Sequence, residues 1–347
     1  MKSEPELTIV SVYHDSYTRR LIELNEELVR KLNPSAKWIW LAGDNSLPET
    51  VTGDSNQRSS INDKERFFKP EHAGILDRKK FKTVRSYGYT FNSVSHGKFW
   101  AAYSEADGLR QCFKEVRTRF LVVLDNDFYI VRPAWIDEIL CYMTGNGLAI
   151  FGAPYYPADY AKFRYFPSAP FCMFADLEKV SVSSLDFNPR FHLLPNTENE
   201  KTKKALFPLF SIKLRKALVG SSPDCGYNIF ERYYSDPDFN FECLNPVYNP
   251  FKESGIASKL GITISRFFEY FLPDRLAYIP KKSGYYTNQG FGSCGYFEVR
   301  SRGWQEHMWK GRPFGFHIRG MRQRKDHGFS EDEIIKSVAD TLQMYAK

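Results

Sequence analysis

The fold of this chain is decided at residues 120–128, Phe-Leu-Val-Val-Leu-Asp-Asn-Asp-Phe. Five apolar residues, too few for a separate helix, predict a buried β-strand that ends in two carboxylates, Asp125 and Asp127. An open α/β sheet binds its ligands at the carboxyl ends of its strands. Two aspartates at such an end can share one divalent cation, whose other positions go to phosphate oxygens and water. A surface turn after a strand would have a similar sequence, so the rest of the chain has to decide.

The N-terminal residues predict a parallel α/β sheet. Residues 7–12 and 37–42 are apolar runs typical of strands, and leucines recur at helical spacing from residue 21 to residue 32. A strand, a helix and a strand of this length form the crossover unit of a parallel sheet. Neither strand is followed by a Gly-rich fingerprint, so the sequence supports neither a dinucleotide fold nor a P-loop.

The pattern of predicted elements continues along the chain. Residues 46–83 are polar and predict a long loop. The elements predicted after it are a helix over 95–118, a helix over 133–140, strands over 148–154 and 171–175, and a helix over 227–234.

The composition is that of a globular protein with a local excess of positive charge. The chain has 347 residues and 42% hydrophobic content, enough for a large core in one or two domains. Its formal net charge is +7, and residues 300–327 hold eight Lys or Arg against two acidic residues. Such a patch favours a phosphorylated ligand, another polyanion or an anionic membrane surface, unless it is only a solvated face.

Cysteine spacing and hydropathy bear on the cellular location. The six cysteines include no Cys-x-x-Cys pair, which argues against a zinc cluster. The first six residues are polar and lack the pattern of a signal peptide. No apolar run approaches the ~20 residues that cross a bilayer. We therefore expect a cytoplasmic protein whose membrane contact, if it has one, is peripheral.

Two further strand ends carry polar side chains. The first strand ends in Val-Tyr-His-Asp, residues 12–15, and the second is followed by Asp-Asn-Ser, residues 44–46. Together with the Asp-Asn-Asp triplet, these segments resemble in order and spacing the motifs of family 2 glycosyltransferases, which have the GT-A fold. The resemblance implies that Tyr13, Asp15 and Asp44 bind a nucleotide sugar, with the Asp44 carboxylate accepting a hydrogen bond from the base. An Asx turn would explain Asp44 equally well.

A Gly-Leu-Arg element at residues 108–110 precedes the triplet at about the interval that the family shows. Arg110 stands where the family usually has Asn, and an arginine is electrostatically suited to a diphosphate. Arg85 and His96 are weaker candidates for the nucleotide-sugar site in the same region, as is Asn126 of the triplet, and a structural role is the favoured alternative for His96.

A candidate base lies in Ser-Pro-Asp-Cys-Gly-Tyr, residues 222–227, which opens a predicted helix. Inverting members of the family have their general base at this position. The resemblance therefore implies that Asp224 removes the proton from the acceptor hydroxyl. The alternative role for Asp224 is to cap the N-terminus of the helix.

A C-terminal stretch, residues 314–322, contains one histidine and two arginines. Many GT-A enzymes bring a C-terminal histidine to the metal, and imidazole suits Mn²⁺ beside carboxylates. The resemblance implies that His317 is a metal ligand beside the two aspartates, and that Arg319 and Arg322 meet the diphosphate in a loop that closes over it. A buried structural histidine is the alternative for His317. The other histidines within reach in the sequence are His307 and His327.

The resemblance covers residues 7–235 and the segment around His317. It implies a GT-A fold with a mostly parallel central sheet flanked by helices. Residues 1–235 would bind the nucleotide sugar, and residues 236–347 would bind the acceptor and close the site. The implied activity is the Mn²⁺- or Mg²⁺-dependent transfer of a sugar, with inversion, to a hydroxyl of a glycan or lipid-linked acceptor. A UDP-sugar is the favoured donor.

Two other classes of protein stay open. A nucleotidyltransferase also uses a metal-bound aspartate on an α/β sheet, but it usually has a Gly-rich basic loop after the first strand, and residues 13–16, Tyr-His-Asp-Ser, are neither. A non-catalytic protein that binds nucleic acid or another polyanion would account for the positive charge. It would not account for two carboxylates at a strand end, so we expect no nucleic-acid partner.

Overall fold

The computed structural model describes residues 5–45, 66–67, 76–77, 82–85, 90–91, 100–154, 166–189, 225–247, 289–319 and 328–345. Between residues 66 and 104 it describes the backbone alone. The α-helices in these ranges are α1 (Ser16–Leu32), α2 (Trp100–Phe113), α3 (Trp135–Gly145), α4 (Tyr227–Tyr233) and α5 (Glu331–Tyr345).

The strands in the same ranges are β1 (Leu7–Tyr13), β2 (Trp38–Asp44), β3 (Arg66–Phe67), β4 (Leu76–Asp77), β5 (Lys82–Arg85), β6 (Thr90–Phe91), β7 (Phe120–Leu124), β8 (Phe128–Ile130), β9 (Ile150–Gly152), β10 (Cys172–Asp176), β11 (Phe241–Cys243), β12 (Asn245–Pro246), β13 (Gln305–Trp309) and β14 (Arg312–His317). Short 3₁₀ helices occur at Val182–Ser184, Phe291–Cys294 and Arg300–Arg302.

The central sheet contains eight of these strands, in the order β11-β9-β10-β7-β1-β2-β5-β4. Strands β10 and β4 are antiparallel to their neighbours, and the other six run in one direction. The predicted α/β fold with a mostly parallel sheet is therefore confirmed. The adjacent strands β7, β1, β2 and β5 are parallel, so their carboxyl ends lie along one edge of the sheet.

Both faces of this sheet are buried. In β7, Phe120, Val122 and Leu124 belong to one apolar cluster, whereas Leu121 and Val123 belong to another. Helices α1 and α3 contribute to the first cluster, and α2 and α4 contribute to the second. Successive side chains of a strand point to opposite faces, so a strand covered on both sides is apolar throughout instead of alternating.

The helix predicted from the spaced leucines is α1. Its buried side chains include Leu21, Leu28 and Leu32, and it ends at Leu32, with Asn33 as its C-cap just before Pro34. The helix predicted over 95–118 is shorter at its carboxyl end, because α2 ends at Phe113. The next three backbone N–H groups bond to carbonyls three residues earlier, the tighter pattern with which helices often end.

The prediction of a continuous loop over residues 46–83 is wrong in part. Strands β3 and β4 lie within this range, and β5 begins there. Strand β5 pairs in parallel with β2 and extends the central sheet. Strand β5 pairs along the edge of β2, where backbone N–H and C=O groups can accept a strand of almost any sequence. The pattern of residues therefore does not predict that β5 is a strand.

A second sheet, in the order β12-β13-β14-β8, carries the C-terminal residues back to the central sheet. Strands β13 and β14 form a hairpin whose two turn residues, Lys310 and Gly311, have φ angles of 48° and 71°. Positive φ at both positions is typical of the tight turn that matches the twist of paired strands. Strand β14 then pairs with β8, which follows the Asp-Asn-Asp triplet.

The segments on either side of residue 235 share these sheets. Strand β11 pairs with β9 in the central sheet, and β14 pairs with β8 in the second. The division into two functional regions near residue 235 stays a prediction.

Within the described ranges, no helix has the length and apolar character that crossing a bilayer requires.

A buried carboxylate, Glu306, organises the turns that precede the hairpin. It is 0% exposed. Its Oε2 accepts from the backbone N–H of Phe291 at 2.9 Å, and its Oε1 accepts from that of Val299 at 2.9 Å. The guanidinium of Arg300 lies 3.3 Å from Oε2. One side chain thus replaces the backbone partners that these irregular turns cannot supply themselves.

We expect Glu306→Ala to lower the free energy of unfolding by about 3 kcal/mol, because it leaves buried N–H groups and a cation without their acceptor. Urea denaturation measures the change. Glu298→Ala is the matched control, since Glu298 also pairs with Arg300 but its side chain is 43% exposed. Its loss should stay below about 1 kcal/mol. Equal losses in the two variants would contradict the role assigned to Glu306.

Candidate metal centre

The candidate metal centre consists of Asp125, Asp127 and His317. Each offers one ligand atom, and these atoms all lie within 4.8 Å of one another. Nε2 of His317 lies 2.8 Å from Oδ1 of Asp127. Two carboxylates and an imidazole form a donor set that suits Mn²⁺ and related divalent ions. The three residues that the sequence singles out as ligands can therefore touch a single cation.

Strand pairing brings His317 to the aspartates. In the register of β14 and β8, His317 lies opposite Phe128, the residue after Asp127. The backbone N–H of Ile318 donates to the carbonyl oxygen of Asp127 at 3.0 Å, which continues this pairing past the end of β14. A Cβ atom at Gly315 would lie 2.7 Å from Tyr129 O and 2.9 Å from the Phe128 ring, so the close approach of the two strands requires glycine there.

The triplet itself forms a tight turn between β7 and β8. The backbone N–H of Asn126 donates to Oδ1 of Asp125 at 2.7 Å, and that of Phe128 donates to the Asp125 carbonyl at 3.2 Å. The side chain of Asn126 donates to the carbonyl of Val12 at 3.0 Å. Asn126 therefore ties the turn to the end of β1, a contact that supports the site whether or not Asn126 also binds a ligand.

The electrostatics of the aspartate pair favour a cation. Burial, followed by the nearby charge of Asp127, raises the pKa of Asp125 well above its ordinary value. Two like charges held together in a poorly solvated place destabilise each other, and a divalent cation between them would remove that repulsion. The donor set and its electrostatics both fit a metal ion.

Aromatic rings form the wall beside His317. The ring of Phe171 stacks on that of His317 with centroids 4.8 Å apart, and Phe128 lies 6.1 Å from it. His307 contacts the same two phenylalanines but is fully buried, and neither of its ring nitrogens has a hydrogen-bond partner in the described ranges. Burial, then the charges of His317 and Arg319, lower the pKa of His307 to about 3.

His307 is therefore a neutral ring in the wall, and it is not a member of the metal-binding group that the described residues form. His327, the other alternative, lies outside the described residues.

A row of predicted nucleotide-binding residues continues along the same sheet edge. Tyr13 ends β1, Asp44 ends β2 and Arg85 ends β5, and they are paired in register across the three strands. Asp44 is 8% exposed. Tyr13 is 4% exposed and its ring belongs to an apolar cluster of the core. Only the backbone of Arg85 is described.

Helix α2 approaches this edge at Gly108. A Cβ atom there would lie 2.8 Å from a methyl group of Val12 and 2.9 Å from Nδ2 of Asn45, so glycine permits the close packing. Arg110, two residues later, forms an ion pair with the buried carboxylate of Asp107. Its side chain is 57% exposed, so its charge remains accessible from solvent.

Asp15 has a structural partner that accounts for it without a ligand. It is the N-cap of α1, where Oδ1 accepts from the backbone N–H of Thr18 at 2.8 Å. Thr18 Oγ1 accepts in return from the backbone N–H of Asp15 at 3.1 Å, which completes a capping box. The predicted role of Asp15 in nucleotide binding stays a prediction.

Three of the predicted site residues, His96, Asp224 and Arg322, lie outside the described residues. Helix α4 begins at Tyr227, and its N-cap residue is Gly226, which has no side chain that could cap the helix.

Arg319, in contrast, lies within the described residues. It is half-buried, its Nε donates to Oε1 of Gln305 at 3.2 Å, and its φ is +55°.

Part of the basic segment has structural partners. Arg300 pairs with Glu306 and Glu298. Arg302 donates to the carbonyl of Ser337 at 3.1 Å, and the ammonium of Lys310 lies 3.4 Å from the centre of the Tyr142 ring. The local positive charge is therefore not one uniform free surface.

Sequence reasoning missed Gln305 and Asn45 as neighbours of the site. Gln305 lies directly opposite His317 in the β13–β14 register. Asn45 is 7% exposed, and its backbone N–H donates to the carbonyl of Tyr13 at 2.9 Å. The sequence does contain one indication for Gln305. Lys310-Gly311 predicts a two-residue hairpin turn, and counting outward from this turn along the two strands pairs position 305 with the region of His317.

No described protein family and no curated protein matches the sequence. Among solved structures, the chain is similar to TarS from S. aureus at 11% identity, over 52% of this chain and 50% of that chain, with a TM-score of 0.29. It is similar to the mannosyltransferase PcManGT from Pyrobaculum calidifontis, in complex with GDP-Man and Mn²⁺, at 8% identity, over 53% and 50%, with a TM-score of 0.30. It is similar to mouse xyloside xylosyltransferase 1, in its apo form, at 11% identity, over 74% and 92%, with a TM-score of 0.34.

The chain thus matches about half the length of the first two of these proteins. Likeness this weak says nothing about a substrate or an activity.

We expect Asp125→Asn to abolish the response to metal while it maintains or raises the stability of the metal-free protein. The amide can still accept from the Asn126 N–H, and the repulsion from Asp127 disappears. Thermal unfolding with and without Mn²⁺ measures both effects, because a ligand of the native state raises the melting temperature.

Asp236→Asn is the matched control, since Asp236 accepts a similar local bond, from the N–H of Asp238 at 3.0 Å, but is exposed and distant in sequence. It should behave like the wild type. An Asp125→Asn protein that melts lower without metal and still responds fully to Mn²⁺ would contradict the metal assignment.

Proposed function

We propose that this protein is a metal-dependent glycosyltransferase of the GT-A type, which transfers a sugar from a nucleotide-sugar donor to a hydroxyl group. The observation that carries the proposal is the meeting of Asp125, Asp127 and His317 in one group at the carboxyl edge of a mostly parallel sheet. The order of sequence motifs that resembles family 2 glycosyltransferases supports it.

The two aspartates and His317 would hold Mn²⁺ or Mg²⁺. When bound, the ion would act as a Lewis acid that stabilises the departing nucleoside diphosphate. The aspartates supply the charge that retains it, and His317 supplies a ring nitrogen, with its ring held in orientation by the stack on Phe171. Arg319, near this group on the chain, adds a permanent positive charge for the phosphates.

The donor would extend from this group along the sheet edge. Asp44 ends a strand two places from β7, the strand that delivers Asp125. A carboxylate at this position accepts from an imide N–H such as that of uracil, which favours a UDP-sugar. The glycine at 108 supports the proposal, because it lets α2 close one side of this region.

The acceptor would be a glycan or a lipid-linked sugar, with Asp224 as the base that removes its proton. One base and no second nucleophile correspond to a single displacement, in which the configuration at the anomeric carbon inverts. The helix that follows is anchored to the core by Ile229, and Asn228 donates to Asp186 at 2.7 Å. These contacts support a fixed position for the start of that helix.

The proposal is tested by titrating UDP and GDP into the protein with and without Mn²⁺ in a calorimeter. A nucleoside diphosphate should bind, and only when the metal is present. Asp44→Asn should weaken binding about tenfold or more, since a hydrogen bond to a charged group contributes about 1.5–3 kcal/mol. The same variant should keep the thermal response to Mn²⁺ alone. The proposal fails if neither nucleotide binds in the presence of Mn²⁺.

Asp224→Asn should keep the affinity for the donor nucleotide but lower the transfer rate by a factor on the order of 10² or more, as expected when a general base is lost. A panel of nucleotide sugars, screened first for hydrolysis, identifies the donor for this assay. Asp236→Asn provides a control at an exposed carboxylate after the same helix, and its transfer rate should change much less. Normal transfer by the Asp224 variant would remove this residue from the mechanism.

A further inference from the structure

Gln305 occupies a position where a polar side chain is costly. It is 2% exposed, and its side-chain amide nitrogen has no hydrogen-bond partner among the residues that the structure describes. A buried donor without an acceptor destabilises a fold, and an apolar residue of similar size would avoid that loss. The neighbouring Phe128 shows that an apolar side chain is accommodated on this face of the sheet, since it is 0% exposed. The stability of the fold therefore does not explain why glutamine occupies this position.

The position of Gln305 connects it to the metal centre. Gln305 lies opposite His317, and His317 lies opposite Phe128, so the three side chains are on the same face of the small sheet. Residues directly opposite each other on paired strands have Cβ atoms about 5 Å apart. Gln305 thus belongs to the wall that presents His317 to the two aspartates.

The hydrogen bond that Gln305 accepts also connects it to the metal centre. Its Oε1 accepts from Nε of Arg319 at 3.2 Å. Arg319 follows His317 by two residues, and its φ of +55° lies in the left-handed region that side-chain-bearing residues rarely adopt. Such a conformation persists only where the surroundings hold it, and it is common at functional sites. The backbone bond from Ile318 to Asp127 holds it on one side, and Gln305 holds the side chain on the other.

The choice of acceptor has an electrostatic consequence. An amide oxygen fixes the guanidinium without neutralising it, whereas a carboxylate would cancel its charge. The contact with Gln305 is made through Nε, and the terminal nitrogens of a guanidinium are further donors of a kind suited to phosphate oxygens. Arg319 is half-buried, so a ligand can still reach it.

We propose that Gln305 is a positioning residue that holds the guanidinium of Arg319, charged and oriented, beside the Asp125–Asp127–His317 group to bind the diphosphate of the donor. This inference rests on the proposed function, since it supposes a metal-bound nucleoside diphosphate. It adds to that function a residue of the second sheet which touches no ligand itself and acts through Arg319.

The test uses the full-length protein and three measurements: the melting temperature, the thermal response to Mn²⁺ alone, and the affinity for UDP and GDP in the presence of Mn²⁺. We expect Gln305→Leu to melt at or above the wild-type temperature and to keep its response to Mn²⁺. Its nucleotide affinity should fall about tenfold. Gln305→Glu should also lose nucleotide affinity although it keeps an acceptor for Arg319, because its charge cancels that of the guanidinium.

A double-mutant cycle separates positioning from general electrostatics. Arg319→Lys keeps the charge but loses both the Nε donor and the guanidinium fork, so it should weaken nucleotide binding at least as much as Gln305→Leu does. The double mutant should bind no more weakly than Arg319→Lys alone, because Gln305 acts only through Arg319. Arg312→Lys is the matched control, since Arg312 is an exposed arginine of the same strand as His317, and it should bind nucleotide as the wild type does.

The outcomes distinguish the two proposals. Wild-type protein that binds neither nucleotide with Mn²⁺ would overturn the proposed function, and this inference with it. Wild-type protein that binds, together with a Gln305→Leu protein that binds equally well, would overturn the role of Gln305 alone. Full additivity in the double mutant would do the same, since it would show that Gln305 and Arg319 act independently. A Gln305→Glu protein with unchanged affinity would reduce Gln305 to a structural contact.

Discussion

The candidate site depends on one antiparallel pairing, between β8 and β14. It places His317 opposite Phe128 and extends through the bond from the Ile318 N–H to the Asp127 carbonyl. The pairing fixes both the separation of the imidazole from the carboxylates and the face of the sheet on which the imidazole lies, because a slip of one residue would turn His317 to the other face. Gly315 makes the close approach possible, and the buried wall of aromatic rings around Phe171 keeps the histidine in place.

The same region shows where this fold gives up stability. Two carboxylates share a poorly solvated turn, and the first has a raised pKa because of burial and its neighbour. Within the described part of the chain, both ring nitrogens of buried His307 and the amide nitrogen of Gln305 lack a hydrogen-bond partner, and Arg319 has a left-handed backbone. The buried carboxylate of Glu306, by contrast, accepts from two backbone N–H groups, although burial still raises its pKa. Strained and unpartnered groups beside a cluster of possible ligands are typical of a site that binds something.

The candidate site was partly predictable because its chemistry is local in the sequence. Asp125 and Asp127 stand beside an apolar run, and Asp44 follows another, so pattern and motif together indicate them. His317 could be named only through resemblance, and its contact with Asp127 depends on strand pairing between distant segments. Asp15 shows the opposite case, since its position fits a motif while its carboxylate caps a helix. Gln305 carries no motif and became visible only through its register with His317.

By itself the sequence determined the class of fold, the strand that carries the aspartates and the type of ligand their carboxylates favour. These follow from hydrophobic periodicity and side-chain chemistry, which act over a few residues. Only the tertiary structure decided that His317 meets the aspartates, that β5 extends the sheet beside Asp44, and that His307 is a neutral ring in the wall. Those outcomes depend on the register and packing of segments far apart along the chain, where many pairings are compatible with the same local pattern and the burial of the whole core selects one.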